Sequence, residues 1–229
     1  MSWRITPTQP VPVDPVFNNV SLLLHGNGTN GSTTITDSSP TPKTVTAAGN
    51  APISTAQSKF GGASIAFDGA GDYLLTNASN DFLLDGDFTI EGFIYLNTAP
   101  TVQPGIIHLP NATGGNNFYL NFRGSLVLGV TNTTAVIALS PSFSANTWQH
   151  FAVTRSSNTL RVYANGSSGT AVTNSVSFGS STLQNFIGAD RSLSSNNFFN
   201  GYIDDLRITK GVARYTSNFT PPTAPFPDI

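Results

Sequence analysis

The sequence predicts an all-β fold, a single antiparallel β-sandwich preceded by an extended N-terminal arm. Three observations predict it. Gly 21, Pro 15 and Phe 16, with repeated Thr and Ser, favour many short strands joined by turns. No segment keeps a helical period for longer than a turn or two. A chain of 229 residues suits one sandwich, large enough to bury roughly 70–75% of its unfolded surface without staples.

The elements follow in order. Residues 1–16 carry Pro7, Pro10, Pro12 and Pro15 with little hydrophobic periodicity. They read as a polyproline-like arm that reaches roughly 50 Å at about 3.1 Å per residue. Residues 17–229 form the domain. Its first strand is Asn19 to His25, and Gly26 to Ser32 is a turn-rich loop. That loop lacks the Lys-Ser/Thr ending of a phosphate-binding loop and precedes no helix. Asn165-Gly166 after Leu160, Val162 and Ala164 marks a hairpin. In the last strand, Gly201 to Gly211, simple alternation places Tyr202, Asp204, Leu206 and Ile208 on one face. Val212 to Tyr215 is read as a short helical turn, and Pro221-Pro222 takes the chain out of the sheet.

Charge excludes several classes. The net charge of −2 gives no electrostatic reason to bind nucleic acid, and no basic run suits an anionic membrane. No apolar run approaches a membrane span, and Met1 to Pro7 lacks the apolar segment of a secretory leader. With no cysteine, disulfides, thiolate chemistry and cysteine-based zinc sites are absent. Charged residues are only 10%, so Asn, Ser, Thr and Gln must cover the surface. That suits a durable shell or a sugar-facing surface. Triplets such as Asn27-Gly28-Thr29 and Asn132-Thr133-Thr134 reflect the same composition.

Candidate chemistry is sparse. His25, His108 and His150 form no short ligand spacing; His150 shares a strand face with Trp148 and Ala152 and reads as a sheet residue. Asp204 on an otherwise apolar face needs hydrogen-bond donors or a cation. Asp68-Gly69-Ala70-Gly71-Asp72 looks calcium-like but reads better as a glycine-rich hairpin turn. For sugars, Asn116 to Arg123 and Ser195 to Asn200 combine rings with amides, which places Asn117, Tyr119, Asn197 and Phe198 in a carbohydrate site. The same residue types also serve as sandwich core and turns.

The blocks Phe60 to Leu74, Gly86 to Ile94, Trp148 to Arg155, Leu160 to Gly166, Phe186 to Asp190 and Gly201 to Gly211 together resemble laminin-G-like domains of the concanavalin A-like lectin/glucanase superfamily. They resemble especially the versions common in bacteriophage structural proteins. The resemblance runs from about Asn19 to Phe226 and implies a jelly-roll sandwich, with Phe60 to Leu74 as an early hairpin. Glucanases of this superfamily use an acidic-x-acidic pattern, since retaining hydrolysis needs carboxyls about 5–5.5 Å apart. Glu91 has no second carboxylate two residues away, so no enzyme is expected and Glu91 reads as a hydrogen-bonded structural residue. Asp204 matches the last-strand Asp that holds a structural calcium in those glucanases, and one Ca2+ is the only cofactor implied.

The resemblance implies a non-enzymatic protein on the outside of a virion, made in the host cytoplasm. The leading expectation is a capsid decoration protein attached to major capsid or tail proteins through its arm. Trp3, Ile5, Val11, Val13 and Val16 would be the assembly contacts, and a symmetric trimer the simplest oligomer. The alternative is a lectin-like module of a tail fibre or spike that touches host-surface glycans. A convergent aromatic-and-Asn groove on the concave sheet would mark the lectin, and an arm docked into a partner would mark decoration.

Overall fold

The computed structural model describes residues 13–112, 116–131 and 136–229. Every strand pairing is antiparallel, and the strands form two sheets. One sheet comprises β1 (Val20–Leu24), β3 (Ile53–Ser54), β4 (Ser64–Asp68), β6 (Phe88–Leu96), β11 (Trp148–Ser156), β12 (Thr159–Ala164), β13 (Ser167–Ser168), β14 (Val172–Thr173) and β16 (Asn200–Lys210). The other comprises β2 (Val45–Ala48), β5 (Tyr73–Thr76), β7 (Gly105–Leu109), β8 (Phe118–Phe122), β9 (Val127–Thr131), β10 (Val136–Ser142) and β15 (Asn185–Ile187). Two short 3-10 turns, Phe17–Asn19 and Asn80–Phe82, are the helical content among the described residues.

The sheets face each other across a phenylalanine-rich core. Ile90, Phe151, Val153, Val162 and Ile208 from the first sheet meet Leu74, Leu109, Phe118, Leu120 and Ile187 from the second. Phe88, Phe118 and Phe178 pack edge to face at 5.5–6.3 Å, the geometry that ring quadrupoles favour. Turn chemistry sets two hairpins. Asn165 and Gly166, both with positive φ, join β12 to β13 as the sequence indicates. Ser157 and Asn158 join β11 to β12 in the same conformation without a glycine.

Three expectations fail for identifiable reasons. Asp68 to Asp72 is not a hairpin turn: β4 lies in the nine-stranded sheet and β5 in the seven-stranded one, so the segment bridges the layers. Asp68 Oδ1 accepts from Ala70 N at 2.7 Å, and the two Asp72 oxygens accept from Asn50 N at 2.8 Å and Asp68 N at 3.2 Å. These carboxylates hold the turn's backbone.

In β16, simple alternation is broken by a bulge. Asp204 pairs with Phe93 and Arg207 with Glu91, so Asp205 and Leu206 together oppose Gly92. Asp205 takes φ 52°, the left-handed region. A Cβ on Gly92 would sit 3.1 Å from Leu206 Cα, which explains the glycine there. The core face is therefore Ile203, Leu206 and Ile208, while Tyr202, Asp204 and Arg207 lie on the outer face.

Nor do Val212 to Tyr215 form a helical turn. Thr89 Oγ1 donates to Val212 O at 2.9 Å and accepts from Arg214 N at 2.8 Å, so those backbone groups are taken by the sheet. Residues 211–229 instead run back across the outer face of the nine-stranded sheet. Tyr215 and Phe219 stack at 3.5 Å, and Phe226 packs 6.1 Å from Phe93.

Candidate functional site

Side-chain parity on the seven-stranded sheet builds the candidate site. Leu74, Ile107, Leu109, Phe118, Leu120 and Ile187 point into the core. Their alternates Tyr73, His108, Tyr119 and Phe186 must point outward. Register then aligns them, because Phe186 pairs with His108 and His108 with Tyr119. Ring centroids lie 5.1 Å apart for His108–Tyr119, 6.2 Å for His108–Phe186 and 5.9 Å for Tyr73–Phe186. Phe198 extends the row, 6.4 Å from Tyr73. Neighbouring rings are tilted by 30–43°. Four adjacent strands at about 4.8 Å spacing make a platform roughly 15 Å wide.

Polar groups fix the platform. Tyr119 lies over Gly105, where a Cβ would approach its ring to 2.8 Å. Its hydroxyl donates to Gln103 O at 3.1 Å, and burial pushes the phenol well above its ordinary pKa. His108 is 7% exposed. Burial lowers it to about 4, with Asp190 opposing and Arg191 adding to the shift, so the ring is neutral near pH 7. Its Nδ1 accepts from Arg191 N at 2.9 Å. The proton therefore sits on Nε2, a buried donor without a hydrogen-bond partner among the described residues.

The segment 188–199 forms a wall beside the rings. Asp190 Oδ1 accepts from Ser192 N at 2.9 Å and Ser192 Oγ at 2.6 Å, and Asp190 Oδ2 from Asn197 Nδ2 at 2.8 Å. Asn197 O accepts from Gly105 N at 2.9 Å, which ties the wall to β7. Ser194, Ser195 and Asn196 face solvent. The arrangement offers ring faces for an apolar surface and amides and hydroxyls for a polar rim, the pairing that a sugar ring requires.

Of the four sugar-site residues expected from sequence, Tyr119 and Phe198 lie in the ring row and Asn197 in its wall. Asn117 serves the loop before β8, its Oδ1 accepting from Asn111 N at 2.6 Å. Sequence reasoning missed His108, Phe186 and Tyr73. Their signal is an aromatic at the parity opposite a core residue in three separate strands.

The remaining candidates lie on the nine-stranded sheet. Asp204 is buried on its outer face, where Oδ2 accepts from Lys59 N at 2.8 Å and Phe60 N at 3.0 Å. Burial raises its carboxyl to about 7 against these hydrogen bonds. The surroundings do not fit a calcium ion. One oxygen is committed to two N–H donors, and the Lys59 ammonium stands 5.2 Å over the ring of Phe93, the residue paired with Asp204. Oδ1 has no hydrogen-bond partner among the described residues, and the raised carboxyl favours a proton there below about pH 7.

Glu91 is fully buried beneath the C-terminal segment. Oε1 accepts from Arg207 Nη2 at 2.7 Å and Nε at 3.1 Å, and Oε2 from the Tyr215 hydroxyl at 2.8 Å, while His150 Nε2 stands 3.4 Å away. Burial opposes its ionisation, but His150 and Arg207 hold it at about 2. Asp14 joins the same network through Arg207 Nη1 at 3.1 Å and Arg214 Nη2 at 2.6 Å. Of the assembly contacts expected from sequence, Val13 is exposed and Val16 half-buried; Trp3, Ile5 and Val11 lie outside the described residues.

Solved structures share this fold at low identity. The botulinum neurotoxin serotype D/C binding domain is 14% identical, with a TM-score of 0.63 over 93% of this chain and 50% of that one. Domain 4 of the extracellular arabinanase AbnA from Geobacillus stearothermophilus, solved in complex with arabinotriose, is 16% identical, with a TM-score of 0.62 over 85% of this chain and 95% of that one. Trypanosoma rangeli sialidase in complex with 2,3-difluorosialic acid is 13% identical, with a TM-score of 0.58 over 83% of this chain and 31% of that one. The chain spans about half the length of the botulinum structures it matches. No curated protein sequence matches the chain. A laminin G family profile, described as the concanavalin A-like lectin/glucanases superfamily, matches residues 68–214. With more than half of its length in that match, the chain belongs to the concanavalin A-like lectin/glucanases superfamily.

Proposed function

We propose that this domain is a non-enzymatic carbohydrate-binding module, displayed on the outside of a virion, that docks a glycan on the outer face of the seven-stranded sheet. The observation that carries the binding reading is the continuous row Tyr119–His108–Phe186–Tyr73–Phe198 beside a hydroxyl- and amide-bearing wall. Sugar C–H faces stack on such rings, and the rim supplies hydroxyl partners. The chemistry asks for no titration, because His108 is already neutral. Glu91 supports the non-catalytic reading: both of its oxygens are engaged, on the opposite sheet.

A glycan array of bacterial surface polysaccharides and plant polysaccharides tests this. The wild type is expected to bind a restricted set and to release no product from it. Phe186→Ala should weaken binding at least tenfold, about 1.4 kcal/mol, with unchanged melting. Binding that survives Phe186→Ala and Tyr73→Ala at full strength would refute the platform.

Virion decoration is supported by a separate observation. Asp14, clamped by Arg207 and Arg214, lies on the sheet opposite the rings, so an attachment at this end of the described chain would leave the sugar platform free. Attachment through major capsid or tail proteins, with trimeric association, would leave the platform facing outward. Deleting residues 1–12 should leave folding and glycan binding intact and abolish incorporation into particles. Wild-type occupancy of the truncated protein would eliminate this role for the arm.

A further inference from the structure

We infer that the ligand is an oligosaccharide chain rather than a single sugar, and that a second subsite lies in the cleft between the 97–104 and 194–200 segments at the end of the ring row. This inference rests on the platform reading above and extends it to the length of the ligand. Two cavities occupy that cleft, of about 210 and 280 Å³. Thr101 and Val102 line both, so the two lie side by side along the cleft and together make up the groove. Each alone falls near or below the lower end of small-ligand sites, about 300–1,000 Å³.

The groove borders the platform through two residues. Phe198 lines the first cavity and packs against Tyr73 of the row. Gln103 lines the second, and its carbonyl accepts the Tyr119 hydroxyl at the far end of the row. A chain lying on the rings is therefore within reach of the groove's walls at Phe198 and at Gln103. The lining suits sugar hydroxyls: Thr101, Gln103, Ser194 and Asn196 are exposed and neutral. Asp68 is the one charged residue on the walls, and its Oδ1 accepts from Ala70 N. With one carboxylate and no cation among its lining residues, the groove disfavours a repeating anionic polymer, so the fitting class is a neutral oligosaccharide of two or more units.

The groove is also preorganised. Gln103 Oε1 accepts from Arg123 Nη1 at 2.8 Å, Gly124 N donates to Val102 O at 3.1 Å, and Asn197 Nδ2 donates to Ser192 Oγ at 3.1 Å. Both walls are thus held by their own bonds before any ligand arrives, which lowers the ordering cost of binding.

The test is calorimetric titration of the full chain with mono- to pentasaccharides of the neutral arabinan, glucan and N-acetylglucosamine series. One series is expected to gain at least tenfold in affinity between the monosaccharide and the tri- or tetrasaccharide. Thr101→Arg fills the groove from an exposed position and should reduce the longer ligands to the monosaccharide's affinity, with Asn196→Ala giving a smaller loss. Phe186→Ala should weaken every length alike. Affinity independent of length, or length dependence that survives Thr101→Arg in a protein of unchanged melting temperature, overturns the groove while leaving the platform standing. Absence of binding at every length in every series overturns both.

Discussion

At the scale of single residues, the chain places several of its few charges inside. Glu91, Asp14, Arg207, Arg155, Asp204 and Asp205 are all buried, and each is tied to an identifiable partner. Arg155 donates to the carbonyls of Gly86, Leu84 and Val176 beneath the rings of Phe88 and Phe178. Asp204 differs in sign from the carboxylates Asp14 and Glu91, whose partners hold them below the ordinary range. Its folded pKa of about 7 stands above the ordinary 3.8, so the folded state binds the extra proton. Stability from this group is therefore intact below about pH 4, falls as pH rises from there to 7 and is flat above, a loss of about 4 kcal/mol at most. Asp204→Asn keeps the acceptor for Lys59 N and Phe60 N and carries a permanent donor at Oδ1. It should melt about 5–10 °C above wild type at pH 8 and no higher at pH 4. An equal gap at the two pH values would contradict a protonated Asp204. Adding a chelator should leave both proteins unchanged if no calcium sits there.

At the scale of elements, the C-terminal segment closes the outer face of the nine-stranded sheet. Phe226 anchors it: its ring lies 3.8 Å from the Arg207 guanidinium and its amide donates to Asp205 Oδ2 at 2.6 Å. The other Asp205 oxygen meets His25 Nδ1 at 2.5 Å, so one carboxylate on the bulge ties the C-terminal segment to the residue that follows β1. Phe226→Ala should cost about 3 kcal/mol and raise hydrogen exchange through residues 211–229. Glycan binding on the other sheet should not change. Unaltered exchange in the segment would show that Phe226 is not its anchor.

Much of this level was legible in the sequence. The first strand, the Asn165-Gly166 hairpin and the β-sandwich follow from local period and turn chemistry. The bulge at Asp205 was not legible, because a non-glycine residue in the left-handed region leaves no local mark and moves every later side chain to the other face. The ring row was half legible. Tyr119 and Phe198 stand in segments rich in amides, whereas Tyr73, His108 and Phe186 are brought together only by register across strands far apart in sequence. The Glu91 network was hidden for the same reason, its members Asp14, Glu91, Arg207 and Arg214 being separated by 77 to 200 positions where they do not lie on one strand end.

At the scale of the whole molecule, the two outer faces are differently built. One is sealed by a buried ionic network and the strap of residues 211–229; the other presents aromatic rings, amides and hydroxyls to solvent. With charged residues at 10% of the chain and several of them buried, the exposed surface is largely neutral, as the proposed recognition by stacking and hydrogen bonding requires. The most direct measurement of this account is chemical-shift mapping by NMR during titration with the strongest glycan from the array. Saturable shifts confined to Tyr73, His108, Tyr119, Phe186, the 190–198 wall and the 97–104 segment beside it are the predicted result. Shifts clustering on residues 211–229, or none that saturate with any glycan, would contradict it.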